Sequence, residues 1–346
     1  MTERRKRSRK GAPGIVEVAR RAGVSPATVS RFFNSPKVVK GPTRKRIETA
    51  AAELGYIRDR MAGALHNRFS GTFGLIIPTI DNAIFAEMIE AFSSHLQSQD
   101  RTMLIASHGY DLRLETAHVR SLLERRIDGI ALVGLDHDPV SLNMLAQRDV
   151  PTVTIWNYSD TTDLPNIGAD NSVAGKLVAE HLLELGHTDF VTIFPETENN
   201  DRARGRFDGV MTALDRAGVQ VPPENTIACG YDVGKAKELG KNVLLQRKPS
   251  AIICGNDVIA QGVMFAAQNL RISVPKQVSV VGIGDFVGSE HLEPGLTTVR
   301  LPAKRIGRRA AEVLLRMSET GLRPIPLHQA IPLELQIRGS TSTPNR

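Results

Sequence analysis

From Gly71 onward, short runs of aliphatic and β-branched residues alternate with stretches of helical period, and few folds accept that alternation. The runs are FGLII (73–77), TMLIA (102–106), GIALV (129–133), TVTIW (152–156), FVTIF (190–194), SAIIC (250–254) and VSVVG (278–282). Each is short and almost continuously apolar, which predicts a strand buried on both faces. FAEMIEAFSSHLQ, ETAHVRSLLERR, SVAGKLVAEHLLELG, GRFDGVMTALDRAG and GKAKELGKNVLLQ lie between them and have the length and period of helices. Such alternation predicts parallel sheets flanked by helices. Residues 71–340 are too many for one typical doubly wound sheet, so two lobes are expected. No solenoid-length repeat is visible.

The first 70 residues have another texture. IVEVARRAG puts Ile15, Val18, Ala19 and Ala22 on one face, and Gly23 breaks the helix. Ser25 suits an N-cap, and Pro26 falls at the first helical position, where a missing N–H costs nothing. PATVSRFFN follows with Val29, Phe32 and Phe33 as its apolar side. TRKRIETAAAELGY then turns Ile47, Ala51 and Leu54 inward, and Gly55 closes it. Three short helices, the first two joined by a tight glycine turn, predict a helix-turn-helix. A generic three-helix bundle is the alternative, and Arg20, Arg21, Arg31, Arg44, Lys45 and Arg46 around so small a core argue against it. Residues 59–70, with Met61 and Leu65 one turn apart, form either a short helix or a linker. Residues 1–13 carry six basic residues among the first ten, without apolar pattern, and read as a disordered tail.

Composition sharpens the division. Residues 1–70 hold 17 Lys+Arg against 5 Asp+Glu, a net of +12; the other 276 hold 27 against 32, a net of −5. A basic head on a mildly acidic body points to a polyanion as the head's partner. Cys229 and Cys254 form neither a disulfide framework nor a thiolate zinc site, which suits a reducing cytosol. The longest uncharged run, Val258–Leu270, is 13 residues and includes Gln and Asn, so it cannot span a bilayer. The basic N-terminus leads into Gly11, Pro13 and Glu17 rather than the apolar segment of a secretory signal.

VEVARRAGVSPATVSRFFN followed by TRKRIETAAAELGYIRDRMAGAL resembles the DNA-binding head of the lactose-repressor (LacI) family of bacterial regulators. Val18-Ala19, Ala22-Gly23-Val24-Ser25, Thr28-Val29-Ser30-Arg31, Asn34, Thr43-Arg44 and Leu54-Gly55-Tyr56-Ile57 carry the match. GLIIP, LELGH (183–187), GNDVIAQG (255–262), VSVVGIGD (278–285) and PGLTTV (294–299) follow in family order, so the resemblance runs from Gly14 to about Gly339. It implies a helix-turn-helix domain over 14–58, a hinge over 59–70 and a two-lobed core over 71–340 similar to periplasmic sugar-binding proteins. The expected lobes are 71–167 with 299–326, and 168–298 with 327–340, leaving a tail at 341–346.

In a helix-turn-helix the N-terminal residues of the second helix approach base edges. Here those are Pro26, Ala27 and Thr28, with Ser30 and Arg31 a turn later. Arg31 can donate a bidentate pair to guanine, whereas Ala27 offers only apolar contact. The resemblance implies that Arg31 reads a base and that Asn34, Thr43, Arg44 and Tyr56 hold phosphates. Relatives often carry larger polar residues at Pro26 and Ala27, so readout here leans on Arg31 and the hinge. The position of Leu65 matches the family's wedge into the central minor-groove step, which unstacks bases and bends DNA.

In the core, Ile84, Phe85, Trp156, Asn256 and Asp285 stand at or just beyond strand ends, where a ligand cleft is expected. Arg206 matches the family's ligand-binding arginine and can pair with a carboxylate or bridge sugar hydroxyls. Phe85 and Trp156 read equally as core packing. Asn256 and Asp257 read also as a strand-to-helix cap. Many relatives place the acid of VVGIGD one position earlier, at Gly284. Enzyme motifs are missing: there is no P-loop, HExxH or GxSxG, and Gly282 and Gly284 do not complete GxGxxG. No cofactor is expected.

The implied function is a cytoplasmic, nucleoid-associated repressor of a carbohydrate-utilisation operon, a homodimer or tetramer on a pseudo-palindromic operator. A small sugar or sugar acid between the lobes releases it. SRFFNSPKVV, NAIFAEMIEAF, SHGYDLRLE and LLERRIDGIAL look most like the gluconate-repressor branch. The alternatives are a sugar-binding or sugar-modifying α/β protein without a regulatory role, and an activator of the same family.

Overall fold

The computed structural model describes residues 13–34, 38–57, 69–81 and 83–345, though not the side chains of Asn34, Ala83 and Ile84. The chain divides into two compact units, 1–70 and 71–346. The expected tail over 1–13 (but for Pro13) and most of the 59–70 hinge, Leu65 included, lie outside the described residues.

The first unit holds α1 (Ile15–Ala22), α2 (Pro26–Asn34) and α3 (Gly41–Leu54). Gly23 ends α1 at φ 65°, in the left-handed region that glycine enters without a Cβ penalty, and so turns the chain toward α2. Ser25 Oγ then accepts from the Thr28 amide (3.2 Å), satisfying one open donor at the start of α2. Val18, Ala19, Ala22, Val29, Phe32, Val39, Ile47 and Ala50 are buried together. A core this small leaves the helices' charged faces to solvent.

The second unit contains two six-stranded sheets. The first takes β1 (Thr72–Ile77), β2 (Thr102–Ser107), β3 (Gly129–Val133), β4 (Thr152–Asn157), β5 (Asn166–Ala169) and β11 (His328–Ala330), in the order β11-β5-β4-β3-β1-β2. Its pairings are all parallel. The second takes β6 (Phe190–Phe194), β7 (Thr226–Ala228), β8 (Ala251–Cys254), β9 (Ser279–Gly284), β10 (Thr297–Arg300) and β12 (Glu334–Gln336), in the order β12-β10-β9-β8-β6-β7. Only β12 runs antiparallel. The two orders are the same once β1 is set against β6 and β2 against β7, so the lobes duplicate one topology but for the direction of the last strand, parallel in β11 and antiparallel in β12. The strands themselves show no repeat in the sequence because a parallel strand requires only buried apolar side chains, not particular ones.

The helices are α4 (Ala83–Ser98), α5 (Leu112–Glu124), α6 (Pro139–Gln147), α7 (Asn171–Glu184), α8 (Asp201–Arg216), α9 (Val233–Gln246), α10 (Asp257–Leu270) and α11 (Ala303–Thr320). α4 and α11 flank the first sheet, and α7–α8 and α9–α10 pair about the second. The seven predicted strands are present. The five missed ones, β5, β7, β10, β11 and β12, have three or four residues each, too few to display a period.

The expected lobe limits need correction. β10 runs through Arg300 in the second sheet, so the chain returns to the first lobe at Leu301–Pro302, not at 299. β11 belongs to the first sheet, so the last crossing lies between Ala330 and Glu334, not at 327. Residues 341–345 are not a loose tail. The Ser342 amide donates to Ser279 Oγ (3.1 Å), Thr341 Oγ1 bonds His181 Nε2 (2.9 Å), and Ser342 O faces His187 Nε2 (2.8 Å). His187 is buried and also meets Ser250 Oγ through Nδ1 (2.9 Å), so it fastens the C-terminal segment to the second lobe.

Candidate nucleic-acid interface and ligand cleft

On α2, Pro26, Ala27 and Arg31 are exposed while Val29 and Phe32 are buried. Ala27 and Arg31, four residues apart, share the outward face. Thr28 and Ser30 are half-buried beside it, and Thr28 Oγ1 is 2.9 Å from Ser25 Oγ. Thr43 and Arg44 lie in the first turn of α3, whose open N–H groups favour an anion. Arg44 Nη2 donates to Val39 O (3.4 Å), and Lys45 and Arg46 are exposed beside it. Tyr56 packs against Phe33 with ring centroids 5.5 Å apart. Together these make a cationic surface with one exposed helix face and one helix N-terminus, the two devices by which a protein grips a duplex.

In the second unit the segments just past the C-terminal ends of β3 and β6 meet between the lobes, Leu135 against Asp201, as do those past β2 and β7, Tyr110 against Tyr231, and α/β proteins bind ligands at such strand ends. A polar chain crosses that space. Arg206 Nε donates to Asn171 Oδ1 (2.7 Å), Asn171 Nδ2 to Asn157 Oδ1 (2.9 Å), and Asn157 Nδ2 to Asp201 Oδ2 (2.9 Å). The Leu135 amide reaches the same Asp201 oxygen (2.8 Å). Burial would raise the Asp201 carboxyl, but the adjacent Arg202 guanidinium (2.7 Å) and these two donors hold it below its usual value.

Arg206 is 2% exposed, yet its partners are neutral: Asn171 Oδ1 and Gly255 O (3.0 Å). Among the described residues no carboxylate pairs with it at ion-pair distance. Burial, with Arg202 nearby, pulls its guanidinium below the usual value. Close helix packing sets this position. A Cβ on Gly175 of α7 would stand 1.9 Å from Arg206 O, so only glycine lets α8 lie so near. Asn256 caps α10, its Oδ1 accepting from the Ile259 amide (3.0 Å). Its Nδ2 is buried without a partner, as is His108 Nδ1 in the facing lobe. Trp156 is buried with φ 85°, an unusual conformation for a bulky residue, and meets Phe85 edge to face at 5.0 Å. Strain of this kind costs about 1–3 kcal/mol and concentrates at ligand sites.

The N-terminal unit matches the model of bacterial regulatory proteins of the lacI family over residues 14–59, and residues 179–341 match a periplasmic binding protein-like domain. The transcriptional repressor PurR of Erwinia tasmaniensis is 30% identical, covering 87% of this chain and 89% of that one. The chain belongs to the LacI family. The regulator GntR of Pseudomonas aeruginosa is 31% identical over 89% of this chain and 90% of its own. The lac repressor dimer bound to operator and the anti-inducer ONPF superposes with a TM-score of 0.83 at 25% identity, covering 95% and 99% of the two chains. These relatives are transcriptional regulators rather than enzymes. Among the described residues no helix is long and apolar enough to cross a membrane.

For this LacI-family chain the cleft brings Arg206, Asn256, Phe85 and Trp156 to one region. The side chains of Asn34 and Ile84 are outside the description, as is Leu65. Asp285 is differently engaged: Oδ2 accepts from Arg300 Nε (2.6 Å) and Oδ1 from Arg338 Nη2 (2.6 Å). These arginines flank the crossings at 301–302 and 331–333, so the carboxylate fastens both. Asp257 does more than begin a helix. Buried, it accepts from Thr298 Oγ1 (2.6 Å), Ser289 Oγ (2.6 Å) and the Phe286 amide (3.0 Å), and burial still raises its carboxyl. Sequence reasoning missed Asp201, Arg202, Asn171, His108, Tyr110 and Tyr231. One signal was available: Gly-Tyr-Asp occurs at 109–111 and again at 230–232, each just past an edge strand.

Proposed function

We propose that this protein is a dimeric repressor of carbohydrate-utilisation genes, released from a pseudo-palindromic operator by a sugar acid of the gluconate type. Arg206 carries the ligand assignment. A fully buried guanidinium bonded only to neutral oxygens is costly until an anion joins it. A carboxylate supplies that anion, and the unpartnered Asn256 Nδ2 offers a donor to the hydroxyls of the same molecule. Phe85 and Trp156 give it an apolar wall, with Ile84 assigned beside them by family position. The bonds of Asp285 to two arginines favour a role at the crossings over direct ligand contact.

On DNA, we assign base contact to Arg31 with Pro26, Ala27, Thr28 and Ser30 around it, and phosphate contact to Asn34, Thr43, Arg44 and Tyr56. Leu65 is assigned the minor-groove wedge. Closure around the ligand would alter the spacing of the two heads, so ligand and operator affinities are reciprocally coupled. The test is a titration of aldonic and uronic acids beside the matching neutral sugars, read by Trp156 fluorescence and by operator release. Acids should release operator at concentrations at least about tenfold lower than their neutral counterparts, given the strength of a charge-assisted pair. Equal potency of acids and neutral sugars would remove the ligand assignment.

A further inference from the structure

The three crossings between lobes, after β5, after β10 and after β11, all lie at one edge of the paired sheets. β2 and β7 lie at the opposite edge of their respective sheets. Each is followed by the same Gly-Tyr-Asp turn, whose aspartate caps the next helix: Asp111 accepts from the Arg113 amide and Asp232 from the Lys235 amide. The duplicated turns meet across the cleft. The rings of Tyr110 and Tyr231 stack at 6.1 Å with an interplanar angle of 22°. Arg202 of α8 lies 6.0 Å from the centroid of Tyr110, and Asn200 Nδ2 donates to Tyr231 Oη (3.1 Å). Nearer the middle, Arg204 Nη2 donates to both Asp136 oxygens (2.9 and 2.8 Å) across the same gap. Both groups of this ion pair are partly exposed, which leaves it little strength.

We infer that Tyr110 and Tyr231 form a clasp at the cleft edge farthest from the crossings and set the balance between its closed and open states. Opening about the crossings displaces the far edge most, so it separates these rings before much else changes. The stack therefore favours the closed state before any ligand enters. The tyrosines act as positioning residues, holding Arg206 and Asn256 in the arrangement a ligand meets. Only this consequence for a ligand rests on the sugar-acid reading; the clasp itself does not.

Trp156, the only tryptophan, ends β4 next to Asn157, whose side chain bonds the opposite lobe, so opening should admit a quencher to it. The experiment is acrylamide quenching of the full-length protein without added ligand. It compares the wild type with Tyr110→Ala, Tyr231→Ala, the double variant and Tyr110→Phe. An aromatic pair is worth roughly a two- to tenfold change in equilibrium, so either alanine should raise the quenching constant by about that factor. The double variant should match the single ones, since one stack is lost only once, and Tyr110→Phe, which keeps the ring but loses its hydroxyl contact with Tyr231, should raise the constant less than either alanine. If an alanine variant loses its helical circular dichroism, Tyr110→Leu and Tyr231→Leu replace it with the same expectations. Unchanged quenching in the single variants, or multiplied effects in the double, would overturn the clasp. Failure of every sugar acid to bind would instead reject the ligand assignment and leave these outcomes untouched.

Discussion

Arg206 keeps its charge where water does not reach, and both oxygens that hold it are neutral. Selection for stability alone would place an apolar residue of similar volume there, because the desolvation of an unpaired ion is not recovered. Arg206→Met should therefore leave the melting temperature unchanged or raise it. The same substitution should weaken a sugar acid by about 2–5 kcal/mol, the cost of removing one member of a buried charge pair. Calorimetric melting and ligand titration on one preparation check both signs; a large loss of stability would mark Arg206 as structural. The identity of this residue was legible in the sequence through its family motif. Its lack of a counter-ion was not, because that depends on which carboxylates the other elements bring near, and Asp201 is already held by Arg202, Asn157 and Leu135.

At the scale of elements, three buried histidines link stability to pH. Burial lowers the pKa of His108 at the end of β2, and of His181 and His187, which tie the C-terminal segment to α7 and β9. The unfolded chain accepts these protons at its ordinary value of 6.5, before the folded chain does. The stability contributed by neutral histidine is thus complete above about pH 6.5 and is lost as pH falls from there through the lowered folded values. Urea midpoints should be level above that pH and fall below it. His187→Gln should flatten part of the fall; an equal acid dependence in that variant would mean other groups are responsible. The helices and the long strands behind these contacts were readable because each has a period of its own. The edge strands and lobe limits were not, since three-residue strands such as β11 and β12 are set by what they pair with.

For the whole molecule, the separation of charge has a thermodynamic signature. With a net of +12 in residues 1–70 and −5 in the remainder, phosphate contact should be confined to the head. Log K for operator DNA should fall linearly with log salt, with a slope of roughly 0.9 per phosphate neutralised. The isolated core should show no measurable DNA affinity over the same range, and a salt-independent affinity of the full chain would refute the electrostatic picture. The sequence by itself determined the helix-turn-helix, the strand–helix alternation and this charge division, because each depends on residues close together in the chain. Only the tertiary structure decided that the lobes are duplicates, that Asp285 fastens the crossings, and that Tyr110 meets Tyr231. These features depend on how two sheets face each other, and chain neighbours carry no information about partners more than a hundred residues away.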